Sequence, residues 1–173
     1  MADWVIQPLA DHHDRAGFVC GKPPLDDWIL RYVGQYQRRD LTRAYVLVRP
    51  GEPRVHGYYA ISNRHIDFAH LPPGQVKKLP HSLPLPAVLI GQLAVEQGVQ
   101  GQGLGDVLLA DALRRILALA ERVGILAVIV DAIDEQARGF YLHRDFEPFQ
   151  DDPSRLFLLI RDLRQAVLKP LVE

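Results

Sequence analysis

Apolar positions recur along this chain with two periods, near 3.6 and near 2, and the alternation between them lays out its elements. Trp4 to Pro8 reads as a short strand. From Leu25 to about Gln37, Leu25, Trp28, Ile29, Tyr32, Val33 and Tyr36 recur at helical spacing behind Pro23 and Pro24, which suit a first helical turn. Ala44 to Val48 and Val55 to Ile61 are rich in β-branched and aromatic residues, and Pro50, Gly51, Glu52 and Pro53 between them predict a hairpin. Asn63 to Pro86 holds five prolines and several basic residues without a period, so it reads as a long surface connection, a kind of segment that is often functional. Ala87 to Val95 is then a central strand. The helix from Leu104 to Val123 turns Leu104, Leu108, Ala112, Ile116 and Leu119 to the sheet and Asp111, Arg115 and Arg122 to water, and Gly124 ends it. The unbroken apolar run Ile125 to Val130 suits a strand covered on both faces and parallel to the strand before the helix. Asp134 can cap a further helix through about His143, and Leu156 to Ile160 reads as a last strand. The predicted order is β-α-β-β-β-α-β-α-β, an α/β (α+β) arrangement.

The junction between the central strand and the long helix is where chemistry first shows. Leu93, Ala94 and Val95 lead into Gln100-Gly101-Gln102-Gly103-Leu104-Gly105. Three glycines at alternate positions let a backbone approach a ligand without Cβ interference, and the N–H groups and dipole of a helix start favour an anion there. A dinucleotide site would want a third glycine where Asp106 stands, and a nucleotide triphosphatase would want Gly-Lys-Ser or Gly-Lys-Thr where Leu104, Gly105 and Asp106 stand. Both readings fail. On its own, the glycine cluster is equally consistent with a plain tight turn.

Composition narrows the setting. A chain of 173 residues with 48% hydrophobic residues and a formal charge of −1 is long enough for one good core, so a single domain over residues 1–173 is expected. The longest apolar run, around Leu83 to Ala94, is broken by Pro84, Pro86 and Gln92, and no membrane span is expected. Asp3 and Trp4 do not begin a secretory pattern, which makes the cytoplasm the default location. Cys20 is the sole cysteine, which excludes an internal disulfide and a cysteine-based zinc site. His12, His13, His65 and His143 lack zinc spacing, and no metal is expected.

Gln100-x-x-Gly103-x-Gly105 resembles the pyrophosphate loop of the GNAT superfamily of acyl-coenzyme A-dependent N-acyltransferases. The resemblance implies the GNAT fold, a mixed central sheet splayed between two parallel strands and flanked by helices, with acetyl-coenzyme A as co-substrate. Backbone groups around Leu93, Ala94 and Val95 would pair with the pantetheine as an added strand would. N–H groups from Gly101 through Gln102, Gly103 and Leu104 to Gly105 would hold the pyrophosphate, with the side chain of Gln100 as a supporting donor. Asp134-x-x-Ala137-x-x-Phe140-Tyr141, followed by Phe146, is similar to the family's Asn-x-x-Ala-x-x-Phe-Tyr and Gly-Phe. Two departures stand out. Asp134 replaces Asn, which keeps the cap but puts an amide contact to the cofactor in doubt, and Asp145 replaces Gly in a turn where Asp tolerates left-handed geometry. Tyr141 is implied as the general acid that protonates the departing thiolate, although taken alone it would also fit a core tyrosine. Glu96, at the strand end, stands where a general base could act, but a solvated strand-end carboxylate is the plainer reading.

A closer resemblance spans nearly the whole chain. Phe18-x-Cys20-Gly21-x-x-x-Leu25-Asp26-x-Trp28, Arg43-x-Tyr45-Val46, Gly57-Tyr58-Tyr59 and Pro84-x-Pro86-x-x-Leu89-x-Gly91-x-Leu93-Ala94-Val95, with the glycine loop, resemble the aminoacyl-tRNA-acetylating toxins of type II toxin–antitoxin modules. The resemblance implies acetylation of the α-amine of the amino acid on charged tRNA, a block of translation, a ribbon-helix-helix antitoxin as partner, and a homodimer. An α-amine beside an ester is less basic than a lysine amine, so its neutral form is abundant near neutral pH, in keeping with the lack of an obvious base. Binding tRNA calls for a basic surface that this near-neutral chain can offer only locally. Arg38, Arg39 and Arg43, and Arg64, Lys77 and Lys78 in the long connection, are the candidates; each would otherwise be an ordinary solvated charge. Two alternatives stay open: a GNAT enzyme acting on a small amine or a protein amine, and a non-catalytic acyl-coenzyme A-binding module.

Overall fold

The computed structural model describes residues 3–75, 78–80 and 82–168. Its strands are β1 (Val5–Pro8), β2 (Arg43–Val48), β3 (Gly57–Ile66), β4 (Leu85–Val95), β5 (Ala127–Asp131), β6 (Glu147–Pro148) and β7 (Arg155–Leu159), in one mixed sheet of order β1-β2-β3-β4-β5-β7-β6. Pairing is antiparallel between β1 and β2, β2 and β3, β5 and β7, and β6 and β7, and the sheet also holds a parallel pair. The helices are α1 (Pro23–Asp27), α2 (Val33–Arg38), α3 (Leu104–Ala120), α4 (Glu135–Leu142) and α5 (Ile160–Leu168). The mixed sheet flanked by helices that the resemblance implies is the one observed. Two compact units divide the chain, one of Met1–Ser62 with Ile90–Arg114, the other of Asn63–Leu89 with Arg115–Glu173.

In the first unit the core gathers Phe18, Trp28, Ile29, Val33, Val46 and Tyr58. Trp28 stacks on Tyr58 at 5.8 Å, Phe18 meets the same ring edge-on at 5.5 Å, and the Tyr58 hydroxyl donates to the carbonyl of Leu25 at 2.7 Å. The helix predicted from Leu25 is present but interrupted: Trp28–Tyr32 is π-helical between α1 and α2. That wider turn holds an extra residue and rotates the next helical turns about the axis, so Tyr32 and Tyr36, expected on the buried face, are 46% and 37% exposed. Asp111, expected in water, is instead nearly buried, because the Tyr59 hydroxyl donates to its carboxylate at 2.6 Å and ties α3 to β3. Gly57 opens β3 where a Cβ would lie 3.2 Å from the carbonyl oxygen of Ala94 and 3.1 Å from Leu108 Cδ1.

The second unit packs Ile66, Leu85, Leu89, Ile129, Phe149 and Phe157 together. β5 and β7 pair from Ala127 opposite Leu159 to Asp131 opposite Arg155, and Arg155 Nε also bonds the Asp131 carboxylate at 2.9 Å. Three expectations are corrected here. β3 runs on to Ile66, whose side chain is buried, so the long connection begins at Asp67 and Arg64 lies on a strand. Leu119 is 38% exposed near the end of α3. A helix that the periodicity does not predict, α5, comes after β7 and buries Ile160 and Leu163. Among the described residues no helix is long and apolar enough to cross a membrane, and no three His, Cys, Asp or Glu side chains group to hold a metal.

Gly57→Ala is expected to destabilise the protein by about 1–3 kcal/mol, since one of the atoms a Cβ meets is backbone and cannot rotate away. Urea denaturation checks this, and a stability within about 0.5 kcal/mol of wild type, the scatter of neutral surface changes, would refute the close approach. Cys20 is buried, and burial, with the Asp26 carboxylate beside it, pushes its thiol up to about 11. Between the ordinary value near 9 and about 11 the folded chain keeps a proton that the unfolded chain releases, so this thiol's contribution to stability is complete below that window and lost through it. At pH 8 iodoacetamide should therefore alkylate the native protein far more slowly than the urea-unfolded chain; equal rates would show an accessible thiolate.

Candidate functional site

The glycine turn lies in the first unit. Along the last residues of β4, Ala94 is buried in the core while Leu93 and Val95 are only half-buried. Past Glu96 the chain makes a 3-10 turn at Gln97–Val99, extends at Gln100, and enters α3 through Gly101 and Gly103 at φ +82° and +78°. Only glycine adopts those angles without strain, and no atom lies within 4 Å of where a Cβ would stand at either position. A side chain there would fill an open cradle. Leu104, buried, anchors the start of α3, and Gly105 comes next in its first turn, where a helix cannot satisfy its own N–H groups. These features fit an anionic phosphate group.

Neighbouring segments hold the turn in shape. Gln97 N donates to the carbonyl of Val19 at 2.8 Å, and Glu96 N to the carbonyl of His56 at 2.9 Å. Gln100 Nε2 donates to the carbonyls of Cys20 and Val95, both at 2.8 Å, so its amide braces the turn from behind. The Cys20-Gly21…Asp26 motif now has a physical reason. Cys20 N donates to the Asp26 carboxylate at 2.8 Å, and Gly21, at φ +95°, leaves room where a Cβ would come within 2.9 Å of Gln97 Nε2. Glu96 is not the solvated carboxylate expected: it is 6% exposed, with one oxygen 2.9 Å from Arg54 Nη2 and the other 3.1 Å from His56 Nδ1. The other His56 nitrogen, Nε2, is buried without a hydrogen-bond partner among the described residues, and the edge of the ring meets Trp4 at 5.2 Å.

The second unit carries α4. Asp134 is extended and its Oδ1 accepts from Ala137 N at 2.9 Å, the predicted cap. Tyr141 lies on the last turn of α4, buried between the edges of Phe140 at 5.1 Å and Phe146 at 5.4 Å. Burial pushes its phenol well above the usual range, so it stays protonated at neutral pH. Asp145 takes the left-handed conformation, φ +68°, that its place in the turn requires, and Phe146 N then donates back to the Tyr141 carbonyl at 3.2 Å.

The basic candidates are divided between the two units. Arg64 and Lys78 are exposed in the second unit, and Lys77 lies outside the described residues. Arg38, Arg39 and Arg43 are in the first unit, where Arg39 ends α2 and Arg43 opens β2. Arg38 and Arg43 line a cavity of about 440 Å³ together with Arg15, a residue that no sequence signal marks. Arg15 sits in the segment between β1 and α1, and only the tertiary fold brings it to the cavity.

No protein-family model matches the chain. A tRNA-acetylating toxin of Mycobacterium tuberculosis is 35% identical over 159 residues, 92% of this chain and 93% of that protein. Among solved structures, AtaT complexed with acetyl-methionyl-tRNAfMet superposes with a TM-score of 0.88 at 30% identity, covering 95% of this chain and 99% of that one. A tyrosine-to-phenylalanine variant of KacT gives the same TM-score of 0.88 at 30% identity, over 94% and 98% of the two chains. AtaTR bound with acetyl-coenzyme A, and a tyrosine-to-phenylalanine AtaT bound to the C-terminus of the antitoxin AtaR, match at 0.85 and 0.84. With this identity sustained over more than nine-tenths of both sequences, the chain belongs to the GNAT-like family of tRNA-acetylating toxins.

Proposed function

We propose that this chain, as one acetyltransferase domain in the cytoplasm, moves the acetyl group of acetyl-coenzyme A onto the α-amine of the amino acid on charged tRNA, and so stops translation. The observation that carries the reading is the open, braced turn from Gly101 to Gly105 at the end of β4. Relatives support its extension to tRNA: AtaT is solved with acetyl-methionyl-tRNAfMet and AtaTR with acetyl-coenzyme A. Acetyl-coenzyme A supplies an acetyl group already activated as a thioester. The backbone of Leu93, Ala94 and Val95 holds its pantetheine arm, the N–H groups from Gly101 through Gln102, Gly103 and Leu104 to Gly105 hold its pyrophosphate, and Gln100 keeps that turn in shape. Asp134 contributes by starting the helix that carries Tyr141.

Tyr141 Oη donates the proton that the leaving sulfur needs. Both carboxylate oxygens of Glu96 are engaged by Arg54 and His56, so the proton of the attacking amine goes to solvent; an α-amine beside an ester gives it up readily. Arg38, Arg39, Arg43, Arg64, Lys77 and Lys78 serve the nucleic acid. The enzyme works as a homodimer restrained by a ribbon-helix-helix antitoxin, a partnership supported by the complex of AtaT with the AtaR C-terminus.

Incubation of labelled acetyl-coenzyme A with total charged tRNA should label the amino acid, with none on uncharged tRNA. Tyr141→Phe should lower kcat by about 10²–10⁴ while acetyl-coenzyme A binds as in wild type. Label on small amines or peptides alone would overturn the tRNA reading, and a fully active Tyr141→Phe would remove the phenol from the chemistry. Gln100→Ala should raise KM for acetyl-coenzyme A several-fold with little change in kcat, because the loss of two braces at about 1 kcal/mol each loosens the turn and spares the proton donor. An equal fall in kcat would contradict a purely bracing role.

A further inference from the structure

The cavity beside α2 in the first unit carries an uneven charge. Arg15, Arg38 and Arg43 line it against a single carboxylate, Asp11. Gln37 fixes its floor by donating to the carbonyl of Leu9 at 3.2 Å and accepting from Ala44 N at 3.0 Å. Two of the three guanidiniums are held by the fold. Arg15 Nη1 donates to the carbonyl of Ile29 at 2.9 Å, and Arg43 bonds the carbonyls of Gln37 and Thr42 and the Asp40 carboxylate at 2.7 Å. Each guanidinium has five donors, so donors remain on both of these lining residues.

Arg38 differs from them: no ion pair of its guanidinium occurs among the described residues. Its head lies back over Gly34, where a Cβ would stand 3.2 Å from Nη1. A glycine inside a helix weakens it, and here its missing side chain gives the guanidinium its place at the cavity. Planar forks that converge from three segments suit the tetrahedral oxygens of a phosphate, and about 440 Å³ is ample for a phosphodiester with its sugar. We propose that this cavity seats a backbone phosphate of the tRNA, with Arg15, Arg38 and Arg43 as its donors and Gly34 as the residue that lets Arg38 reach it. The proposal rests on the tRNA reading above. It adds Arg15 and Gly34 to the interface and replaces a diffuse basic patch with one built subsite.

Fluorescence anisotropy of labelled charged tRNA over a series of salt concentrations tests it, with full-length wild type, Arg38→Ala, Gly34→Leu and, as a control, Arg122→Ala. Gly34→Leu keeps every charge and strengthens the helix but fills the space that Arg38 occupies. Arg38→Ala and Gly34→Leu should each weaken binding about tenfold at low salt and lower the slope of log K against log salt by about one. Acetyl-coenzyme A affinity and thermal stability should stay near wild type, and Arg122→Ala should bind as wild type does. Wild-type affinity and slope in Gly34→Leu, or an equal loss in Arg122→Ala, would overturn the subsite in favour of diffuse charge. Unchanged tRNA binding with weakened binding of an acidic antitoxin peptide would assign the cavity to protein instead. Absence of tRNA binding by wild type would remove the tRNA reading itself, a result distinct from these.

Discussion

A cradle made of backbone N–H groups has no side chains of its own with which to keep its shape, and that constraint organises the first unit. The turn between β4 and α3 needs positive φ at Gly101 and Gly103 and open space above them, so everything that fixes it comes from behind. The segment Val19 to Gly21 supplies two carbonyls, His56 supplies another, and the side chains of Glu96 and Gln100 turn away from the cradle toward these supports. Val19 to Gly21 is itself fixed to the core: Asp26 receives Cys20 N, while Phe18 and Trp28 close on Tyr58. A change in the aromatic core is in this way connected to the glycine turn through packed rings and then hydrogen bonds.

Glu96 shows how the same constraint bears on chemistry. A carboxylate at the end of the central strand would make a natural base if solvent reached it. Buried between Arg54 and His56, it is instead a structural anion whose two oxygens each accept one bond. Taking a carboxylate out of water is tolerable only with such compensation, which commits both oxygens to partners of the fold. Transfer as proposed above therefore relies on an acceptor amine that is largely neutral already.

How much of this is legible in the sequence depends on the range of the interaction. The glycine turn, the Asp134 cap and the left-handed Asp145 are local devices, set by residues within a few positions of one another, and they are readable as such. Periodicity finds β4, α3 and β5 for the same reason. Hidden features are either a departure from the ideal period or a contact across the fold. The π turn at Trp28–Tyr32 moves Tyr32 and Tyr36 to the surface, whereas the spacing of an ideal helix would bury them. Asn63, Arg64 and His65 look like loop residues and suggest that β3 stops at Ile61, whereas the burial of Ile66 carries the strand past them. Nothing near Arg15 or Glu96 in sequence announces the partners that give each its role.

Net charge is a poor guide to this molecule for a related reason. Many of its cations are offset by a nearby acid, as Arg43 is by Asp40, Arg54 by Glu96 and Arg155 by Asp131, and such pairs contribute little field at a distance. What a polyanion senses is the remainder that the fold leaves unbalanced. In the first unit Arg15 and Arg38 are such a remainder beside α2, where Arg43, paired with Asp40, joins them opposite Asp11. A chain whose formal charge is −1 can therefore hold a phosphate firmly, provided the fold collects its unbalanced cations at one place. Gly34 is the clearest sign of that collection, since it weakens its own helix to make room for the head group of Arg38.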